Sequence, residues 1–254
     1  MSKKKMIETF KLQRMVILII FGAFVLLAII FAIVNSWRSG QNQANLAEIE
    51  SLNTQIAEME AAAHEAAQER PWNLQLINRG YPLAEDFEPS LSDVAPGFAM
   101  DSRVASEASN LLQAAEAAGV PLTITAAFRN YQDQRELFLG RMTEINAQGI
   151  NMFDAYNQTA LNIAIPGTSE LQAGLALEFG LGEGSASENF ASSPEMEWLI
   201  ANARTYGFIL RFPEDKTAIT GMDFQPGHWR YVGVEAATTI AQQNTTLEEY
   251  LLAN

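Results

Sequence analysis

Met15 to Ser36 runs without a charged residue, MVILIIFGAFVLLAIIFAIVNS. At about 1.5 Å per residue, a helix of that length crosses a hydrocarbon core of about 30 Å. A signal peptide would have an apolar region of about 7–15 residues followed by small residues at a cleavage site. Ile33-Val34-Asn35-Ser36-Trp37 does not supply that site. The pattern predicts an uncleaved transmembrane helix over 15–36. The basic leader over 1–14 carries Lys3, Lys4, Lys5, Lys11 and Arg14 against Glu8, so the expected placement is single-pass in the cell membrane, with the N-terminus cytoplasmic and the rest extracytoplasmic. Trp37 and Arg38 suit the far interface.

Residues 37–70 are polar and rich in Ala, Glu and Gln. Ile49, Leu52, Ile56, Met59, Ala63 and Ala66 recur at spacings of three and four, the a/d seam of a helical stalk. Two readings stand: a coiled coil that makes a homodimer, or a single helix that spaces the following domain. His64 reads as a solvated stalk residue, and Pro71 ends the segment.

From 71 to 254 the pattern is that of one compact domain. Pro82, Pro89 and Pro96 mark a loop-rich stretch at its start. Asp101 is a candidate cap for a helix from about Ser102 to Ala118, closed by Gly119. A strand over Leu122–Ala127 and helices from about Gln132 to Ala147 and Asp154 to Ile163 follow. Ser193, Pro194, Glu195 and Glu197 open another helix, with Trp198, Leu199 and Ala203 inward and Gly207 as its stop. Phe208–Phe212 and His228–Val232 read as strands. A helix from about Val234 to Gln243 and a short one near the C-terminus close the chain. Helices mixed with a few non-alternating strands predict an α+β fold with a small antiparallel sheet flanked by helices.

Composition narrows the chemistry. There is no cysteine, which excludes disulfides and thiolate metal sites. The net charge of −14 combines +4 over the basic leader with −18 beyond it, and an acidic body argues against nucleic acid as a partner. The glycines of Gly180-Leu181-Gly182-Glu183-Gly184-Ser185 lack the order of a phosphate-binding loop.

Two separated segments carry the most specific signal. One is Pro166-Gly167-Thr168-Ser169-Glu170-Leu171-Gln172-Ala173-Gly174-Leu175-Ala176-Leu177-Glu178. The other is Gln225-Pro226-Gly227-His228-Trp229-Arg230-Tyr231-Val232-Gly233. They resemble the P-G-x-S-E-H-x-x-G-L-A-x-D and E-P-W-H-x-R-Y-V-G segments of VanY-type D-alanyl-D-alanine carboxypeptidases, zinc peptidases of family M15. Ala127 to Gln134 is similar to that family's G-Y-R-S-Y-x-x-Q, and Tyr206 to Pro213 to its Y-G-F-I-L-R-Y-P. The resemblance runs from about Leu74 to the C-terminus and implies the VanY/M15 fold, with Leu76–Arg79 as its entry strand and Tyr81–Phe87 as the loop after it.

The resemblance breaks where the chemistry lies. It implies two zinc histidines, an aspartate ligand and a glutamate base. Here those positions hold Leu171, Glu178, His228 and Gln225, and only His228 matches. Leucine has no lone pair for a metal, and an amide has no basicity near neutral pH. A catalytic zinc needs three protein ligands and an open position for water. Glu170 or Gln172 swinging in could replace one missing ligand, but not ligand and base together. No metal ligation and no catalytic residue are therefore expected, and no cofactor, with zinc reserved for an active alternative. The resemblance implies a residual peptide-binding set of Arg129, Gln134 and Ser169, with Tyr206 beside them. A guanidinium fork suits a terminal carboxylate, although Arg129 could equally serve an internal salt bridge. Glu178 and His228 are expected to bond directly, or Arg129 to hold Glu178, with Leu171 filling vacated space and Gly227 opening the pocket floor.

Three functions follow: a pseudoenzyme that binds a peptidoglycan stem peptide or regulates a wall enzyme, an active D,D- or L,D-carboxypeptidase, or a membrane-anchored scaffold that dimerises through its stalk.

Overall fold

The computed structural model describes residues 26, 29–31, 34–59, 70–182 and 187–253. They fall into two compact units, Met1–Glu65 and Ala66–Asn254. The first is helical over 34–59, and Leu46, Ile49, Leu52, Ile56 and Met59 stand exposed along it. The seam positions Ala63 and Ala66, and His64 with them, lie outside the described residues.

The expected placement in the membrane is overturned: among the described residues, no helix is long and apolar enough to cross one. The helix over 34–59 carries Arg38, Glu48, Glu50 and Glu58, charges that lipid does not accommodate. Most of the uncharged run over 15–36 lies outside the described residues.

The second unit is α+β. A hairpin pairs β1 (Leu91–Ala95) with β2 (Phe98–Asp101). After α1 (Ala105–Ala117) come β3 (Thr123–Ala126), α2 (Tyr131–Ala147), α3 (Met152–Asn162) and β4 (Ala176–Gly180). Then follow α4 (Ser187–Ala191), α5 (Pro194–Asn202), β5 (Phe208–Leu210), α6 (Thr217–Thr220), β6 (His228–Tyr231), α7 (Val234–Gln243) and α8 (Leu247–Ala253). The main sheet has the order β3-β4-β6-β5 and is antiparallel throughout.

Local chemistry accounts for the helix starts. Asn130 accepts from the Asp133 amide, Asn151 from that of Asp154, and Ser193 from that of Met196. Each supplies one acceptor to amides that the first turn leaves unpaired. Asp101 does not cap α1. Its carboxylate instead accepts from the Arg103 amide and guanidinium, at 2.6–2.9 Å, and the helix begins later without a side-chain cap. Pro96-Gly97 is the turn of the β1–β2 hairpin, with Gly97 at φ 81°. Proline before a positive-φ glycine closes a turn rather than breaking a strand, so the stretch expected to be loop holds paired strands. Leu76–Arg79 forms no strand, only an isolated bridge between Asn78 and Tyr81.

The sheet separates core from charge by strand alternation. Leu177, Phe179 and Trp229 enter the main core with Met100, Leu111, Leu199 and Phe208. The intervening residues Ala176, Glu178, His228 and Arg230 occupy the other face, Ala176 in a small cluster with Ala126 and Leu171. Glu178 and His228 are direct cross-strand partners.

Gly227 lines the cleft, but it leaves no gap on the side of β4. A Cβ there would stand 2.3 Å from the Phe179 carbonyl oxygen, and its own carbonyl accepts the Phe179 amide at 2.9 Å. The backbone itself fills the space. Gly227→Ala is expected to destabilise the domain by about 2–4 kcal/mol, through forced separation of β4 from the start of β6, as read by denaturant unfolding.

Candidate functional site and its relation to known proteins

A cleft of about 750 Å³ lies beside the charged face of the sheet, lined by Arg129, Gln134, Ser169, Leu171, Glu178, Gln225 and His228 among others. Seven positions singled out from sequence thus converge on one cavity. Tyr206 does not join them; it sits in the turn over Ala203–Tyr206 and packs against the main core.

The centre is a chain of charges. His228 Nδ1 lies 3.4 Å from Glu178 Oε1, and its Nε2 lies 3.4 Å from Glu170 Oε2. Glu170 Oε1 accepts from Arg211 Nε at 2.7 Å and from an Arg230 terminal nitrogen at 3.0 Å. Arg211 also forks onto both Glu248 oxygens at 2.6 and 2.9 Å, which ties α8 to the site. The Arg230 guanidinium donates further to the Asn73, Gln75 and Tyr231 carbonyls. Glu170, Arg211 and Arg230 are all at most 2% exposed, so each charge depends on its partners.

These contacts set the protonation states. Burial works against ionised Glu170, but the Arg211 and Arg230 charges outweigh it and hold the carboxyl well below the usual range. Burial also opposes an imidazolium at His228. Hydrogen bonds to Glu170 and Glu178 prevail, and its pKa is raised. For Glu178, burial opposes the charge, while the bond to His228 and the nearby charges of His228 and Arg129 lower the pKa.

Leu171 is 1% exposed, packed with Ala126 and Ala176, and so fills the space beside the Glu178–His228 pair. The Gln225 amide donates to the Asn162 carbonyl at 3.0 Å, a bond that a carboxylate could not make. Arg129 donates to Gln134 Oε1 at 2.9 Å, and Gln134 in turn donates to the Ala164 carbonyl at 2.6 Å. Among the described residues, no carboxylate lies within ion-pair distance of the Arg129 guanidinium. Ser169 is buried, and its Oγ accepts from the Leu171 amide at 3.3 Å.

With this geometry in hand, the relatives are informative. The family model described as VanY, D-alanyl-D-alanine carboxypeptidase, matches residues 97–234. The chain belongs to the VanY D-alanyl-D-alanine carboxypeptidase family. A D-alanyl-D-alanine carboxypeptidase of Enterococcus faecalis is 37% identical over 192 residues, 75% of this chain and 70% of that protein. A crystal structure of a mutant of the vancomycin-resistance D,D-pentapeptidase VanY, in complex with Zn(II), is 36% identical at a TM-score of 0.64, covering 71% of this chain and 99% of that one. VanYB in complex with D-alanine-D-alanine is likewise 36% identical, at a TM-score of 0.65 over 72% of this chain and 98% of that one.

Zinc is therefore the metal the VanY family implies, and the residues present do not fit it. Leu171 offers no donor. The two ring nitrogens of His228 point in different directions, one to Glu178 and the other to Glu170, so both carboxylates cannot share one ion with it. Glu170 cannot swing inward without leaving the buried Arg230 guanidinium with no carboxylate partner and Arg211 with Glu248 alone. Gln172 is fully buried, with its amide bound to the Ala84 carbonyl. Among the described residues, no cluster of three His, Cys, Asp or Glu side chains is placed to hold a metal.

Sequence reasoning assigned no role to Arg211, Arg230 or Glu248. Arg211 and Arg230 sat inside recognised segments, and their burial was the missing signal. Glu248 lies in the short C-terminal helix, with no pattern pointing to the site.

His228 carries a testable consequence. Its folded pKa is raised, so its contribution to stability is complete below the ordinary histidine value of about 6.5 and is lost as pH rises through the folded value. A proton NMR titration should show one histidine with a midpoint above that value; His228→Gln should remove it and leave the His64 signal.

Proposed function

We propose that this protein is a non-hydrolysing member of the VanY family that binds peptides with a free C-terminal carboxylate, of the peptidoglycan stem-peptide type. The observation that carries this reading is Arg129. Its guanidinium lines the cleft, oriented by a buried glutamine, with no carboxylate in ion-pair contact among the described residues. Such a fork is suited to a carboxylate from outside. Absence of hydrolysis is supported by Leu171 and Gln225: one removes a metal donor, and the other replaces the base with an amide already bound to the Asn162 carbonyl. Glu178 and His228 are engaged with each other.

The family's own activity, removal of a terminal D-alanine, is the second reading, favoured by the likeness to named carboxypeptidases. Two measurements on one sample separate them. Elemental analysis of protein purified in the presence of zinc is expected to give well below one zinc per chain, with no D-alanine released from a peptide ending in D-Ala-D-Ala. Stoichiometric zinc with D-alanine release would establish the second reading. Calorimetric titration with the same peptide should show binding, and Arg129→Ala should abolish it.

The exposed apolar seam over 49–59 supports self-association through the stalk. Light scattering should then report a dimer that Ile56→Asp dissociates.

A further inference from the structure

We infer that the cleft selects peptides whose last residue carries a bulky aliphatic side chain rather than alanine alone. The inference rests on the peptide-binding reading and adds the class of ligand to it.

Leu137 on α2, Leu181 after β4 and Ile219 on α6 are 41%, 41% and 43% exposed. Exposed aliphatic residues scattered singly over a protein need no explanation. These three come from separate elements and line the same cleft as Arg129. Apolar walls with a few convergent polar groups are the usual composition of a site for an organic ligand.

The polar groups at the centre are largely occupied already. Glu178 and His228 face each other, Glu170 is held by two arginines, and the Gln225 amide is bound to the Asn162 carbonyl. Leu171 brings an aliphatic side chain where the family pattern has a histidine. Arg79, the other arginine of the cleft, donates to the Ala160 and Gly221 carbonyls, which leaves Arg129 and an aliphatic rim to meet a ligand. The cleft volume of about 750 Å³ also exceeds what a terminal methyl group fills, since pockets of about 300–1,000 Å³ bury drug-sized ligands. A carboxylate on Arg129 fixes the end of the chain, and a larger side chain beside it covers rim surface that alanine leaves wet.

The test uses the full chain and two N-acetylated tripeptides that differ only in the last residue, L-Lys-D-Ala-D-Ala and L-Lys-D-Ala-D-Leu, with affinities measured by calorimetry. The leucine peptide is expected to bind about ten- to a hundredfold more tightly, the scale of burying a branched side chain. Ile219→Ser, a change at an exposed position, should reduce the difference between the two peptides, and Leu137→Ser and Leu181→Ser combined with it should erase the difference. Circular dichroism verifies that both variants are folded. Equal affinities for the two peptides would overturn the inference while leaving the peptide-binding reading intact. A leucine preference that survives the triple variant would overturn it as well, because the rim would not be its source. Binding of neither peptide would remove the peptide-binding reading and this inference with it.

Discussion

The Glu170 carboxylate is the constraint around which the rest of the site is arranged. It is almost fully buried, between two guanidinium groups and an imidazole. A lone carboxylate there would be very costly, and removing one partner from a buried ion pair typically destabilises by about 3–5 kcal/mol. Each partner therefore holds its own element in place. Arg230 secures β6 to the Asn73 and Gln75 carbonyls, and Arg211 reaches from the segment after β5 to Glu248 on α8. The first chain segments of the domain and its last helix meet through one side chain on a turn.

That network also explains how the fold keeps its shape with an altered centre. Where the family pattern would gather donors around an ion, this chain directs the same strand ends at each other. Glu178 and His228 stand opposite in register, and Leu171 packs beside them instead of supplying a donor. The positive charge favoured at His228 lies between two carboxylates, so the cross-strand contact needs no ion to balance it. The Gln225 amide bonds the loop before β6 to the end of α3, and the Asp223 amide does the same through the Leu161 carbonyl. What was expected to be a gap at Gly227 is closed by the approach of two backbones.

Much of this was legible in the residues. Period and capping signals placed α2, α3, α5 and α7 within a few residues, and the C-terminal bounds of α2 and α7 matched. The two motif segments named Glu178 and His228 as neighbours although 50 positions separate them. Where reading failed, the reason was local ambiguity. Pro96 looked like a breaker and proved to be a turn residue. Asp101 looked like a cap and found Arg103 instead. Tyr206 shared a motif with Arg211, yet its ring went to the core.

The sequence by itself determined the family, the α+β class, and the identity of the groups at the ligand and base positions, because these depend on residue type and order. Only the tertiary structure decided which charges are buried, that Arg129 keeps its fork toward a cleft, and that Glu170 is unavailable to replace a missing donor. Those outcomes depend on desolvation and on partners brought from far along the chain. Neither quantity is written in any local stretch of residues.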